Sequence, residues 1–253
     1  MDFSILAWYN HYGVYFCSME VYSVTSRNWV KLFLNTLLVG GLTTAIVGFI
    51  VRWNEFEPYF TEFKVIDILS TLIWLIVMGF LFSVISQMGF FAYLTVHRFG
   101  LGIFKSVSLW NAVQIVLILF GLFDLVYLRF ENFAGPDDSV LPYFGPAIIL
   151  LVVGLTVAWY KVKQTNRDAF IPAMFFMIVV TLIEWVPVLR VNEQSWLYLM
   201  MFALMGCNAY QLLILHKLNQ QSDQERQKRA SQSKGNSKNN KQANPKKSKK
   251  PSI

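Results

Sequence analysis

Six apolar runs, each long enough to cross a membrane, constrain the fold of this chain more than any other feature. A helix needs about 20 apolar residues to cross roughly 30 Å of hydrocarbon. A backbone inside lipid must satisfy its own hydrogen bonds, and runs without two-residue alternation do so as helices rather than barrel strands. The sequence therefore predicts an all-α polytopic membrane protein, a bundle of six transmembrane helices. The predicted spans are residues 30–51, 66–96, 107–128, 143–160, 170–189 and 196–216.

The composition agrees with a membrane protein, because 55% of the residues are hydrophobic and only 15% are charged. Soluble domains carry about 25% charged residues. The second run is longer than a span requires, since roughly 30 residues make about 45 Å of helix. That helix must tilt, project beyond the bilayer, or break near Gly79 or Gly89. We favour a tilted helix with a projecting end.

The positive charge is concentrated in the C-terminal part of the chain. From Lys217 onward there are eleven Lys and Arg residues against two acids, whereas the preceding part carries eleven against thirteen. Segments rich in Lys and Arg that flank spans stay in the cytoplasm. The C-terminus is therefore predicted to be cytoplasmic, and six spans place the N-terminus there too, in a multi-pass protein of the cell membrane.

Residues 219–253 are rich in Lys, Ser, Asn and Gln and nearly free of apolar side chains. Such a composition cannot bury a core, so a disordered, basic cytoplasmic tail is predicted after a transmembrane domain at 27–218. The stretch to about residue 230 is compatible with a continuation of the sixth helix. The basic clusters attract anionic lipid, at about 1 kcal/mol per residue near the surface, and no specific nucleic acid is expected.

The loops support the same orientation, because basic residues favour the predicted inner side and acids gather on the outer side. In the stretch VISQMGFFAYLTVHRFG, His97 and Arg98 then mark the cytoplasmic end of the second span, with Gly100 and Gly102 forming the turn. A contact point for a partner or a lipid phosphate is the alternative interpretation. The inner loops supply Arg98, Lys105, Lys161, Lys163 and Arg167.

The N-terminal segment, residues 1–26, lacks the basic region and the cleavage site of a secretory signal. Two interpretations stay open. The segment either lies at the membrane interface, with its aromatic residues among the headgroups, or precedes a true start codon near Met19.

The sequence contains no recognisable catalytic motif. There is no HExxH, no phosphate loop and no complete dinucleotide fingerprint, and Cys17 and Cys207 form neither a disulfide framework nor a metal spacing with the three histidines. We therefore expect no enzyme activity, no cofactor and no metal. A membrane-embedded enzyme with an unfamiliar motif is the weakest alternative.

Two acids lie in or near spans, and acids at membrane depth are costly and by default suggest function. Asp124 is placed about a turn from the outer end of the third span, and Glu184 deeper, toward the outer end of the fifth. Pairing with Arg129 or Arg190 would make them structural. The main alternative from another functional class is a small-solute or ion transporter that uses Glu184, together with Asp124. The other polar residues in the spans fit interhelical hydrogen bonds: Asn35, Thr43, Thr44, Ser83, Ser86, Gln87, Asn111, Gln114, Asn208 and Gln211.

Three stretches, SRNWVKLFLNTLLVGGLTTAIVGFIVRW, VISQMGFFAYLTVHRFGLGIF and SLWNAVQIVLILFGLFDLVYLRF, resemble the KinB-signalling pathway activation protein family (KbaA) of spore-forming bacilli. The resemblance covers roughly residues 26–216. It implies a non-enzymatic integral membrane regulator that activates a membrane sensor histidine kinase of the KinB type, which feeds the sporulation phosphorelay. It implies no catalytic residues. The candidate cytoplasmic contacts with the kinase are His97, Arg98, Lys105, Lys161, Lys163 and Arg167, together with the tail.

Overall fold

The computed structural model describes residues 25–242, with side chains through residue 228, and this part of the chain contains helices but no strand. The interpretations of the N-terminal segment fall on residues 1–24, and the last part of the tail on 243–253, outside the described residues. The helices are α1 (Ser26–Val51), α2 (Trp53–Thr61), α3 (Val65–Phe104), α4 (Val107–Phe133), α5 (Phe144–Gln164), α6 (Phe170–Phe175), α7 (Thr181–Leu189) and α8 (Gln194–Gln242).

Six helical segments are long and apolar enough to cross a membrane, which confirms the six predicted helices. Five are α1, α3, α4, α5 with the 3-10 turn before it, and α8. The remaining one, Arg167–Leu189, is composite: a 3-10 turn, α6, a π-helical turn at Phe176–Val180, and α7.

The long second span is one helix. α3 runs for 40 residues, about 60 Å, without a break at Gly79 or Gly89. It also continues through Gly100 and Gly102, so the predicted turn there is wrong. The chain reverses instead at Lys105, whose φ of 51° is left-handed, and Ser106 then caps α4 by accepting a hydrogen bond from the Leu109 N–H.

Glycines let α1 and α3 cross in backbone contact. A Cβ on Gly40 would lie 2.7 Å from the Gly79 carbonyl oxygen, and a Cβ on Gly79 would lie 2.7 Å from the Gly41 Cα. Small residues at a crossing allow this approach in membrane bundles. α8 packs against both helices, and its buried Cys207 lies beside Gly40.

The helices alternate in direction, so the bundle has two distinct ends. At the first, which we call the basic end, the start of α1 meets the distal part of α8: Asn28 Nδ2 donates to Ser222 Oγ at 2.7 Å. At the other, which we call the acidic end, the Arg52 guanidinium at the end of α1 lies over the rings of Trp74 and Trp196, near the starts of α3 and α8.

The helix α8 continues past the end of the predicted sixth span. The tail was predicted from residue 219, with a helical continuation to about residue 230, and α8 runs to Gln242. Leu218, Asn219 and Ser222 are buried, and Arg27 forms an ion pair with Glu225 at 2.5 Å. Residues 207–234 contain no glycine or proline, the residues least favourable inside a helix, and Ser222 Oγ accepts hydrogen bonds from the Thr25 N–H and from Asn28 Nδ2.

The fifth span is the most enclosed part of the bundle. Phe176, Met177, Ile178 and Trp185 are completely buried, and the indole N–H of Trp185 donates to the Leu197 carbonyl of α8 at 3.1 Å. α3, α4, α5 and α8 all pack around this span. It therefore carries its side chains into the centre of the bundle.

Candidate functional site

A cluster of polar side chains lies in the interior where α3, α7 and α8 meet, and we call it the buried polar cluster. All of its members are buried. They are Ser83, Ser86, Gln87, Thr181, Glu184, Asn208 and Gln211.

Asn208 is the centre of this cluster. Its Nδ2 donates to Thr181 Oγ1 at 2.9 Å and to Glu184 Oε2 at 2.8 Å, while its Oδ1 accepts from Ser86 Oγ at 2.7 Å. Gln211 Nε2 also donates to Ser86 Oγ, at 2.6 Å. Polar pairs of this kind hold transmembrane helices together. Asn208 thus joins three helices through one side chain.

Glu184 is the only acid in the cluster, and it is 6% exposed. Its Oε2 accepts the bond from Asn208, whereas Oε1 has no hydrogen-bond partner among the described residues. Oε1 lies against Gly89, where any Cβ would overlap it. The pairing considered with Arg129 or Arg190 is absent: the ion pairs of the described residues do not include Glu184 or Asp124.

The π-helical turn Phe176–Val180 sets the direction in which α7 presents its polar face. A π-turn inserts one residue into a helix and shifts the register of everything after it, and such turns are frequent at functional sites. Thr181 and Glu184 follow it directly and both point at Asn208. The sequence identified these polar residues one by one, but nothing in it reveals the π-turn that brings them together.

His97 lies inside the bundle rather than on its surface. It is buried, and its Nδ1 accepts from the Trp110 indole N–H at 3.0 Å and faces Gln114 Nε2 at 3.3 Å. Gly100 lies against the Trp110 ring. His97 therefore fixes the contact between α3 and α4, and its interpretation as a surface contact residue is wrong because the helix continues past it.

The predicted basic contact residues divide into buried and accessible ones. Lys161 is buried and its Nζ donates to the Leu212 carbonyl at 3.0 Å. Lys163 is exposed, with its ammonium 3.4 Å from the centre of the Trp159 ring. Lys105 and Arg167 are exposed and Arg98 is half-buried. Of the predicted contact residues in the inner loops, Arg98, Lys105, Lys163 and Arg167 are therefore at least partly exposed.

Asp124 lies deeper than the sequence suggested, because α4 continues nine residues beyond it to Phe133. Two contacts fix its level relative to the fifth span, which runs in the same direction. A Cβ on Gly121 would lie 3.0 Å from Leu182 Cδ1, and Arg129 Nη1 donates to the Leu189 carbonyl at 3.3 Å. Residue 124 is therefore level with residues 184–185. The expectation that Glu184 lies deeper is wrong.

No group of three or more His, Cys, Asp or Glu side chains that could hold a metal ion occurs within the described residues. Cys207 is a free, buried thiol whose Sγ lies 3.9 Å from the Thr36 carbonyl oxygen.

Comparison with known proteins gives two matches. The model of the family KbaA, described as KinB-signalling pathway activation in sporulation, matches residues 40–218. The KinB-signaling pathway activation protein of Bacillus subtilis (strain 168) is 49% identical over 192 residues, which cover 76% of this chain and 97% of that protein. No solved structure matches the chain.

Proposed function

Because the chain belongs to the KbaA family of KinB-signalling pathway activation in sporulation, we propose that it is a non-enzymatic integral membrane regulator of a KinB-type sensor histidine kinase. Through that kinase it promotes the sporulation phosphorelay. The observation that carries the proposal is the 49% identity to a protein of that name, matched over 97% of its length.

The exposed surface supports residence in a membrane. The outer face of α1 presents Leu38, Leu42, Ile46 and Ile50, each more than half exposed. Soluble proteins rarely expose large contiguous apolar patches, whereas lipid solvates them. We infer that these faces contact the hydrocarbon of the cell membrane.

The charges at the two ends support cytoplasmic termini. At the basic end the described residues include Arg27, Lys31, Arg98, Lys105, Lys161, Lys163, Arg167 and Lys217. Against them stand three acids, Asp168, Asp223 and Glu225. At the acidic end the described residues include eight acids, Glu55, Glu57, Glu62, Asp67, Glu131, Asp137, Asp138 and Glu193, against the four basic residues Arg52, Lys64, Arg129 and Arg190. The rule that basic flanks stay inside then orients the basic end, and with it the tail, toward the cytoplasm and its anionic lipids.

Lateral packing against the transmembrane helices of the kinase is the proposed mechanism. A regulator shifts an equilibrium only by contacting the two signalling states of its partner differently. The buried polar cluster and the Gly40–Gly79 crossing give the bundle a fixed shape for such contacts. The accessible residues Arg98, Lys105, Lys163 and Arg167 supply a second contact surface for the kinase on the cytoplasmic side.

The test is phosphorylation of the relay in cells with and without this gene. One strain keeps only the KinB-type kinase, and a matched strain keeps only a cytosolic kinase. We expect output to fall in the first strain alone and to return when the gene is supplied again. Unchanged output in both strains would contradict the proposal.

A small-solute or ion transporter is the alternative, favoured by one observation. Glu184 is a carboxyl group in the interior of a span, adjacent to a π-helical turn and without a cation partner among the described residues. Carboxyl groups in such positions mark proton and ion pathways in transporters. Substitution of Glu184 separates the two functions, as argued below.

A further inference from the structure

A groove opens between α4 and α7 toward the acidic end. The two helices are in contact at Gly121 and Leu182 and leave between them a cavity of about 690 Å³. Its walls are mostly apolar, and the side chains of Phe120, Leu128 and Ile183 on them are half-exposed or more. An apolar groove on a membrane protein is covered either by lipid or by another helix.

The charged residues of the groove distinguish these two occupants. Asp124 projects into it and has no hydrogen bond or ion pair with any residue that the structure describes. It lies nine residues, about 13 Å, before the end of α4, inside the hydrocarbon depth of a span. Arg129 and Arg190 line the same groove closer to the ends of α4 and α7. Arg129 is 7% exposed, and one of its guanidinium nitrogens, Nη1, already donates to the Leu189 carbonyl.

A phospholipid would satisfy only half of this pattern. Its phosphate would suit Arg129 and Arg190, but its acyl chain would then lie along Asp124, where a carboxylate against hydrocarbon is costly. A transmembrane helix satisfies the whole pattern, since it carries polar side chains at two chosen depths. The groove is open and is lined by residues of two neighbouring helices, as a site for a third helix would be.

We propose that this groove binds one transmembrane helix of a partner protein. That helix presents a basic or hydrogen-bond-donating residue to Asp124, and an acid one to two turns nearer the outer surface to Arg129 and Arg190. The spacing follows from the position of Arg129 five residues after Asp124, about 7.5 Å along α4. The inference rests on the proposed function only for the identity of the partner, the membrane sensor kinase.

Cysteine cross-linking in intact membranes tests the groove. In a chain whose own cysteines, Cys17 and Cys207, are replaced by alanine, we would introduce Leu117→Cys or Ile183→Cys in the groove and scan the kinase spans with single cysteines. Ile46→Cys on α1 is the matched control, since Ile46 and Ile183 are 63% and 66% exposed. We expect cross-links from the groove positions to one face of one kinase helix, and at most about a tenth of that yield from the control.

Charge-exchange substitutions test the proposed pairing between Asp124 and a residue of the kinase helix. Asp124→Lys is expected to lower the cross-link yield about tenfold, as loss of a charge pair worth roughly 1–2 kcal/mol would do. An acid at the facing position of the kinase helix should restore it, which also shows that the variant inserts and folds. Asp124→Asn, which keeps a hydrogen-bonding group, should reduce the yield less.

Three results would overturn the inference: equal yields from the groove and from α1, cross-links only to a second copy of this chain, or groove residues labelled only by a photoreactive phospholipid. These differ from failure of the proposed function. If relay phosphorylation depends on the gene but the groove yields no kinase cross-link, only the groove inference fails. If the groove cross-links to a kinase helix with the stated charge pattern but relay phosphorylation does not depend on the gene, only the proposed function fails.

Discussion

Asp124 and Glu184 lie at the same level along the bundle axis on two parallel helical segments, yet their side chains have different surroundings. The contacts of Gly121 with Leu182 and of Arg129 with Leu189 bracket both acids and fix this level. Glu184 points into the interior and accepts a hydrogen bond from Asn208, whereas Asp124 points into the groove between α4 and α7. Two acids at one level of the bundle therefore have different surroundings, one among the buried polar side chains and one on the wall of the groove.

Glu184→Gln should leave relay phosphorylation close to that of the unchanged protein, because an amide oxygen can still accept the hydrogen bond from Asn208 Nδ2. Glu184→Leu should lower the membrane level of the protein, since Asn208 then loses an acceptor at a cost of about 1–2 kcal/mol. Immunoblotting of membranes and relay phosphorylation, measured together, check both variants. Complete loss of output from Glu184→Gln at a normal membrane level would instead favour the proton-coupled transporter.

Asn208→Ala should be among the most destabilising single polar substitutions in the bundle. It removes the hydrogen bonds to Ser86, Thr181 and Glu184, and leaves three buried groups short of a partner. We expect a loss of about 1–3 kcal/mol, observed as a lower midpoint of thermal unfolding in detergent. Asn111→Ala is the matched control, because Asn111 is only partly buried and its Oδ1 accepts no hydrogen bond among the described residues. A midpoint no lower than that of the control would contradict a central role for Asn208.

The sequence was sufficient to predict the helices, but not to predict which of their side chains are buried. Length and hydropathy place helices wherever about 20 apolar residues occur together, so all six were predicted. The direction of a side chain depends on helix rotation and register, which apolar runs on every face do not specify. His97 therefore looked like a surface residue, and the turn was placed at the glycines rather than at Lys105.

The buried polar cluster around Asn208 could not be predicted from the sequence for a related reason. The π-turn that aims Thr181 and Glu184 lies in an apolar sequence, FMIVV, that reads as ordinary helix. The family resemblance, in contrast, could be read from the sequence, and the matching family model over residues 40–218 confirms it. Likeness along whole helices identifies relatives even where the packing cannot be derived.

Gly79→Ala should weaken the crossing of α1 and α3, although alanine is the better helix former. The added Cβ would lie 2.5 Å from the Gly40 carbonyl oxygen, and a backbone cannot move aside as a flexible side chain can. Gly102→Ala in the same helix is the matched control, because its Cβ would meet nothing within 4 Å. We expect a lower unfolding midpoint for Gly79→Ala, and an unchanged or slightly raised one for Gly102→Ala, in line with a helix propensity gain of about 1 kcal/mol. Equal midpoints would show that the two helices adjust without cost.

The distal part of α8 should divide into a segment that stabilises the bundle and one that does not. Truncation after Lys228 keeps the hydrogen bond between Asn28 and Ser222 and the ion pair between Arg27 and Glu225, so membrane level and relay phosphorylation should persist. Binding to vesicles containing anionic lipid should weaken, because eight of the eleven basic residues that follow His216 lie beyond Lys228 and are removed.

Truncation after Gln221 removes both contacts with α1. Asn28 is completely buried, and the loss of its partner Ser222 should cost about 1–2 kcal/mol, which lowers the unfolding midpoint and the membrane level. Ser222→Ala in the full chain should reproduce most of this effect, since it removes the same hydroxyl and leaves the tail intact. If the truncated chain is unstable but Ser222→Ala is not, the stabilisation comes from the continued helix rather than from this hydrogen bond. If the truncated chain and Ser222→Ala both have the unfolding midpoint of the full chain, the part of α8 beyond Gln221 does not contribute to stability. The contact between the start of α1 and the distal part of α8 is then not stabilising.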